Sequence, residues 1–512
     1  MKLPDPFSKN DKRLPWIVFP GILLVYLLFP SKNYYWDGIF FAGVIEDVQG
    51  VSTSLLHPNH LLYNIVGYFL YKCARTLGLN WRAVEVLQFA NSVVSVLTAF
   101  LLFRILRRCL QSNYLAWTLT LVFSFSATWW KFSTDANAYI FSVFFLLLAF
   151  YFILPNSKPR PVLVTVVFSV AVLLHQLAVF CYPVLALGLW GQASSYPKKK
   201  RNLVVIQFCI LAFALVFGTY VYSSYLVSGT FDATRFARWV TSYSPDASFT
   251  FNALDNLGYT LRGHSRLFFN GRFSLLRGLL TPAIIGLICI LVALLLLWLF
   301  LIIRGLRTAK WPGFRDFTRS RLARLAALWV AVYVVFLFFW LPQNTFYRLF
   351  YLPPLVLLGG EMLAKWGVSD SGKRSYRLAL FAVLMVFANF LFFIFPYSHA
   401  DKYPPLSAAL EMNNVWRPGT VVFYASENSD NNLFHYFNRT TDWKPLPEIA
   451  GLEAELKTTY QSGKEAWLEA SAIHQLKKTP AGSEWLTRHA QANTLHERHD
   501  RGYNIRFIKI VP

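Results

Sequence analysis

Residues 282–303 read PAIIGLICILVALLLLWLFLII, a run with no charge and no amphipathic period. About 20 such residues cover the hydrocarbon core of a bilayer. No water satisfies the backbone there, so the segment has to be a helix bonded to itself. Similar runs recur, in a chain of 512 residues that is 55% hydrophobic and 18% aromatic. Hydropathy predicts spans at 14–30, 82–103, 113–130, 136–155, 161–174, 177–191, 203–227, 281–303, 325–341, 346–364 and 378–396. Residues 14–30 lack a small-residue cleavage site, so the first run reads as a retained helix and not a signal peptide. The fold class expected is a polytopic α-helical membrane protein of about eleven transmembrane helices.

Segment 57–78, HPNHLLYNIVGYFLYKCARTLG, is apolar enough to add a twelfth crossing, and charge decides against it. With eleven spans, Lys12/Arg13, Arg104/Arg107/Arg108, Lys158/Arg160, Lys198 to Arg201, the Arg304 to Arg324 loop and Lys365/Lys373/Arg374/Arg377 all fall on the cytoplasmic side. One more crossing turns every later cluster outward. The segment is therefore expected to lie on the outer surface, with His60, Asn64 and Lys72 on its polar side, and residues 36–49 form a shorter companion. The external loops are then 31–81 and 228–280. The second carries Arg235, Arg238, Arg262, Arg266, Arg272 and Arg277, which fit an anionic partner or a surface facing lipid headgroups.

After Pro396 the composition turns polar, so the chain divides into a membrane domain, 1–396, and an external domain, 397–512. A helix at 404–414, a strand at 420–426, a strand-like run EAWLEASAI, a helix at 483–492 and a closing strand YNIRFIKIV predict a small α/β domain. Cys73, Cys109, Cys181, Cys209 and Cys289 all lie in apolar segments, where a thiol acts as a small hydrophobe. The net charge of +23 sits largely at membrane boundaries, which argues against a nucleic-acid partner. No internal repeat is evident, unlike the repeat-built transporters.

Carboxylates beside a membrane segment need a partner or a task. Asp37 opens the first external helix, where capping exposed N–H groups is one explanation and general-base work on an incoming hydroxyl is another. Glu46 and Asp47 are rotated off its helical face and stand as secondary candidates. Asp135, in WWKFSTDANAY, is a helix cap or a second site carboxylate, and Lys131 four residues earlier pairs with it or binds a phosphate. His57 and His60 flank Pro58 and Asn59 at the start of the second external helix. Hydrogen bonding to substrate or to the first helix is expected of them; a divalent metal is conceivable, but no third ligand supports one. His175 and Gln176 mark an external turn. Arg348 either snorkels or holds a phosphate through its bidentate donors. No P-loop, dinucleotide fingerprint, Ser-His-Asp signature or zinc motif is present.

Taken in order, WDGIFFAGVIED, HPNHLLYNIVGYFLY, LNWRAVEVLQFANSV ending in RILRR, the Asp135 segment, HQLAVFCYP and YRLFYLPPLVLL resemble the GT-C superfamily of integral-membrane glycosyltransferases. That superfamily includes protein O-mannosyltransferases and lipid A aminoarabinose transferases. Phe40 stands where many relatives carry a second acidic residue, and HPNHLLY replaces an HPPGYPLY-like motif. The resemblance implies transfer of a sugar from a polyprenyl-phosphate carrier to a hydroxyl of a glycan, lipid or protein, on the outer face of a bacterial cytoplasmic membrane. Asp37 and Asp135 become the catalytic candidates. Arg348, His57, His60, Lys131, His175, Glu46, Asp47, Arg262 and Arg266 become the substrate-binding ones. The competing expectation is a transporter or a flippase for lipid-linked glycans. Such a protein places polar groups at mid-membrane along a pathway, whereas here Asn91, Gln207 and Asn389 are nearly all that the span interiors offer.

Overall fold

The computed structural model describes residues 14–154, 158–242, 249–271, 281–307, 320–366, 373–425, 429–500 and 503–511. Lys12, Arg13, Arg272, Arg277 and most of the expected cytoplasmic loop between Arg304 and Arg324 lie outside them. The chain forms two compact units, one of residues 1–30 and 44–395, the other of 31–43 and 396–512.

The first unit is helical. Its helices are α1 (Pro15–Leu28), α2 (Trp36–Asp47, whose first turns count with the second unit), α3 (Tyr63–Thr76), α4 (Ala83–Leu110), α5 (Asn113–Ser124), α6 (Ala127–Ser133), α7 (Tyr139–Phe152), α8 (Pro161–Leu174), α9 (Tyr182–Gln192), α10 (Lys198–Ser228), α11 (Ala233–Thr241), α12 (Ala253–Phe268), α13 (Pro282–Arg307), α14 (Arg321–Phe339), α15 (Leu352–Lys365) and α16 (Lys373–Asn389). Among the described residues five segments are long and apolar enough to cross a membrane: Ala83–Leu110, Gln176–Ser195, Lys198–Ser228, Arg321–Phe339 and Tyr376–Tyr397. Shorter apolar helices cover Pro15–Leu28, Tyr139–Phe152, Pro161–Leu174 and Pro282–Leu297. This is a multi-pass membrane protein.

Segment boundaries differ from the hydropathy reading at several points. The run at 113–130 breaks after Ser124, because Phe125 and Ser126 leave the helix and α6 restarts behind Ser126. The run at 346–364 is a 3-10 turn, Phe346–Tyr351, followed by α15, whose Pro353 and Pro354 sit at the helix start where a missing N–H costs nothing. His57 and His60 precede α3 in a turn and do not open the helix. α10 ends at Gly229, whose φ of 71° is the left-handed cap that glycine adopts without strain.

The second unit carries a five-stranded sheet of β1 (Val421–Tyr424), β2 (Asp442–Pro445), β3 (Ala466–Glu469), β4 (Ala490–Asp500) and β5 (Tyr503–Ile510), in the order β2-β1-β3-β5-β4. β1 pairs in parallel with β2 and β3, while β5 is antiparallel to β3 and β4. Val421, Phe423, Leu452, Leu468, Trp485 and Ile508 are among its core residues. The strand-like run 465–473 is strand only to Glu469. There the Glu469 carboxylate accepts from the Ser471 N–H and caps the helix Ala470–Leu476. At the other end of the unit, the amides of Lys32 and Asn33 donate to the Tyr397 carbonyl at 2.6 and 3.2 Å. Tyr34 stacks on Phe437.

Candidate active site

Asp37 lies in the first turn of α2, as the sequence predicts, and its side chain is half-buried. Burial pushes its carboxyl up to about 7, against a smaller lowering by a hydrogen bond from Tyr35. A carboxylate tuned there is matched to accepting a proton near neutral pH. At the far end of α2, Glu46 has a structural task. Its carboxylate accepts from Arg82 Nε at 3.0 Å and from the Ala83 N–H at 2.6 Å, which anchors the start of α4. Asp47 is the last residue of α2.

Asp135 sits in the turn between α6 and α7, fully buried and ion-paired with the buried Lys131. The helix that follows is capped by Asn137 instead, whose Oδ1 accepts from Tyr139 and Ile140 N–H at 3.1 and 3.3 Å. A turn at this depth leaves carbonyls that water does not reach. One face of α4 satisfies them. Gln88 Nε2 donates to the Thr134 carbonyl at 3.1 Å, Asn91 Nδ2 to the Asp135 and Asn137 carbonyls at 2.6 and 3.0 Å, and Ser92 Oγ to the Ser133 carbonyl at 3.0 Å. The spacing i, i+3, i+4 is what puts the three on one helical stripe. Of these, only Asn91 stood out in the sequence.

His57, His60 and His175 are all buried and converge. The ring of His60 lies 4.5 Å from that of His175 and stacks at 5.2 Å on His57, and Tyr139 closes against His60 and His175. Backbone bonds position each ring. His57 Nδ1 accepts from the Asn59 N–H at 3.3 Å, and His175 Nδ1 accepts from the Leu177 N–H at 3.1 Å, capping the 3-10 turn Gln176–Cys181. Asn59 and Gln176 tie the two turns together through both backbone and side chain. Burial lowers His57 to about 4 and His175 to about 3. Burial and the neighbouring His175 and His57 hold His60 well below its ordinary value. The cluster is therefore neutral at pH 7. Among the described residues no group of three or more His, Cys, Asp or Glu is arranged to hold a metal ion.

Arg348 is fully buried in the 3-10 turn that precedes α15. Its Nη1 donates to Tyr351 Oη at 2.7 Å and its Nη2 to the Pro342 carbonyl at 2.6 Å, while Nε is buried without a hydrogen-bond partner. No carboxylate neutralises it among the described residues. The carbonyl it uses is aimed by a strained turn: Leu341 holds φ 55°, a conformation that costs a non-glycine residue about 1–3 kcal/mol. From the other side Gly263 of α12 presents bare backbone to the guanidinium. A Cβ there would meet Nε, Nη2 and Cζ at 2.3, 2.6 and 2.7 Å. The next residue, His264, approaches Tyr351 Oη with its Nε2 at 3.1 Å. Sequence reasoning missed Gly263, His264 and Tyr351. Only the Tyr at i+3 in YRLFY hinted at any of them. Arg262 and Arg266 flank this pair on α12, the first exposed and the second half-buried.

No family model and no curated protein matches the chain. Solved structures do. ArnT from Cupriavidus metallidurans bound to undecaprenyl phosphate superposes with a TM-score of 0.57 at 10% identity, over 98% of this chain and 98% of that one. The same protein in the apo state gives 0.56 at 13% identity, over 97% and 98%. The chain therefore shares the fold of these two structures.

Proposed function

We propose that this protein is a membrane glycosyltransferase that moves a sugar from a polyprenyl-phosphate carrier to a hydroxyl acceptor, and that Arg348 binds the carrier's phosphate. The buried, uncompensated guanidinium carries the reading. Burying a cation without a counter-ion costs several kcal/mol, so a site built to keep one, with Nε unsatisfied, is prepared for an anion. Bidentate donors suit a phosphate, and they stabilise the charge that develops on it as it leaves. The ArnT structure that shares the fold holds undecaprenyl phosphate, which supports a lipid-linked donor.

In this reading the acceptor oxygen bonds to the anomeric carbon as the bond from that carbon to the phosphate oxygen breaks. The phosphate leaves with the electron pair, and Asp37 takes the acceptor's proton. Direct displacement inverts the anomeric centre. Asp135, fixed by Lys131 and the α4 stripe, orients substrate. The reaction runs on the outer face of a bacterial cytoplasmic membrane, with the N-terminus inside and the 397–512 domain outside. A donor already flipped across the bilayer supplies sugar where nucleotide sugars are absent.

The test uses the full-length protein in nanodiscs with a radiolabelled polyprenyl-phosphate sugar. Arg348→Gln is expected to lose donor binding, and Asp37→Asn to bind donor but turn over poorly. Full donor binding by the Arg348 variant refutes the phosphate site. Movement of the labelled lipid across vesicles without covalent transfer replaces this reading with a flippase.

A further inference from the structure

We propose that His264 is a proton-linked positioning residue for the anion at Arg348, so that binding of a phosphate there is accompanied by uptake of one proton. The inference rests on the reading of Arg348 as the phosphate site.

The two outer hydrogen bonds in the chain from Arg348 to α12 have fixed directions. A guanidinium only donates, so Tyr351 Oη accepts from Arg348 Nη1 at 2.7 Å. At the other end His264 Nδ1 lies 2.8 Å from the Thr260 carbonyl, which only accepts, so Nδ1 carries a proton. Between them Tyr351 Oη and His264 Nε2 are 3.1 Å apart. The phenol has one proton to give, and a neutral imidazole protonated at Nδ1 accepts it at Nε2. The unliganded arrangement is satisfied by a neutral His264, and the cationic guanidinium nearby disfavours a second positive charge there. Burial lowers its pKa, the Thr260 hydrogen bond opposes this, and the positive charge of Arg348 adds to the lowering.

An anion at Arg348 changes both terms. It offsets the guanidinium charge, and it is an acceptor that competes for the Tyr351 proton. Once the phenol donates to the anion, its oxygen accepts from Nε2–H of a protonated His264, so the relay is satisfied only if one proton enters from solvent. No covalent bond changes. The elements packed on α12 are α6, the Phe346–Tyr351 turn and α14. Their titratable groups on this side are Lys131, already paired with Asp135, then Tyr347, Arg348 and Tyr351, and Tyr333, whose hydroxyl donates to the Leu177 carbonyl. On α12 itself Asp255, Tyr259, Arg262 and Arg266 are the other candidates. Arg348 is the charge that acts on His264.

The experiment is calorimetric titration of the full-length protein in nanodiscs with a short-chain polyprenyl methyl phosphodiester, whose single charge is fixed from about pH 5 to about pH 8, where histidine titrates. Buffers of different ionisation enthalpy count the protons taken up. Wild-type affinity is expected to rise as pH falls, by up to tenfold per pH unit, with close to one proton absorbed per ligand. His264→Gln and Tyr351→Phe are each expected to bind with the weaker, alkaline-limit affinity at every pH and to absorb none. If wild type absorbs no proton, or if either variant keeps the pH slope, the inference is overturned while the phosphate site stands. If Arg348→Gln binds the probe as wild type does, the phosphate site itself falls.

Discussion

Gly263→Ala is the sharpest perturbation of the Arg348 site. On an isolated helix the change stabilises by about 0.8–1 kcal/mol, because alanine is the better helix former. Here the new Cβ would stand 2.3 Å from Arg348 Nε and 2.6 and 2.7 Å from Nη2 and Cζ. Comfortable contact is about 3.5–4.0 Å, so the guanidinium has to withdraw by roughly 1 Å. That movement breaks the bonds to Tyr351 and Pro342, which are 2.7 and 2.6 Å long. A hydrogen bond from a charged group is worth about 1.5–3 kcal/mol, so losing one bond's worth of positioning weakens donor binding roughly 10- to 100-fold. Overpacking costs about 1–3 kcal/mol and offsets the propensity gain. The assay is donor affinity in nanodiscs alongside thermal unfolding. Gly258→Ala on the same helix is the control, since a Cβ there meets nothing within 4 Å. It is expected to keep wild-type affinity and to melt at the same temperature or higher. If Gly263→Ala behaves like that control, Arg348 does not rest on Gly263 and the reasoning fails.

The three histidines and two of the acidic residues of α2, Asp37 and Glu46, give further tests. His57, His60 and His175 are depressed in the folded state, so the stability they contribute is complete above the unfolded value of about 6.5 and is lost as pH falls, at about 1.4 kcal/mol per pH unit for each site. Thermal midpoints should drop from pH 7 to pH 5, and His175→Asn should flatten the drop; an unchanged slope contradicts neutral burial. Asp37 is raised, so its ionised form opposes folding above its unfolded value, fully so above about 7. Asp37→Asn should therefore melt higher than wild type at pH 8 and no differently at pH 3, and wild-type turnover should climb through pH 7. A lower melting point for Asp37→Asn at pH 8 assigns the carboxylate a structural partner. Glu46→Gln weakens the anchor on Arg82 and Ala83 and should cost about 1.5–3 kcal/mol in unfolding measurements. Unaltered melting shows that α4 starts without it.

Apolar length made the membrane helices legible, because the bilayer leaves a long uncharged run such as 282–303 no alternative to helix. The strands TVVFYAS and YNIRFIKIV were equally clear from their β-branched and aromatic content. Legibility ended where a local signal had two structural outcomes. EAWLEASAI has strand-like apolar residues throughout, yet the Glu469 cap turns its second half into helix. Asp135 was seen, and so was Lys131 as its possible partner, but the stripe of α4 that holds the turn acts across more than forty residues of chain and leaves no local trace. Gly263 and His264 were hidden for the same reason. Their meaning depends on Arg348, which reaches them only through tertiary packing.

The stripe of Gln88, Asn91 and Ser92 also makes α4 intolerant of changes in length. The helix is phased at its first residue, where Glu46 receives the Ala83 N–H, and its three donors must then point at carbonyls fixed between Ser133 and Asn137. One residue added or removed between 83 and 88 turns that stripe by about 100°, leaving the buried carbonyls without their donors. A chain built this way can drift far in side-chain identity while the count of residues along α4 stays fixed.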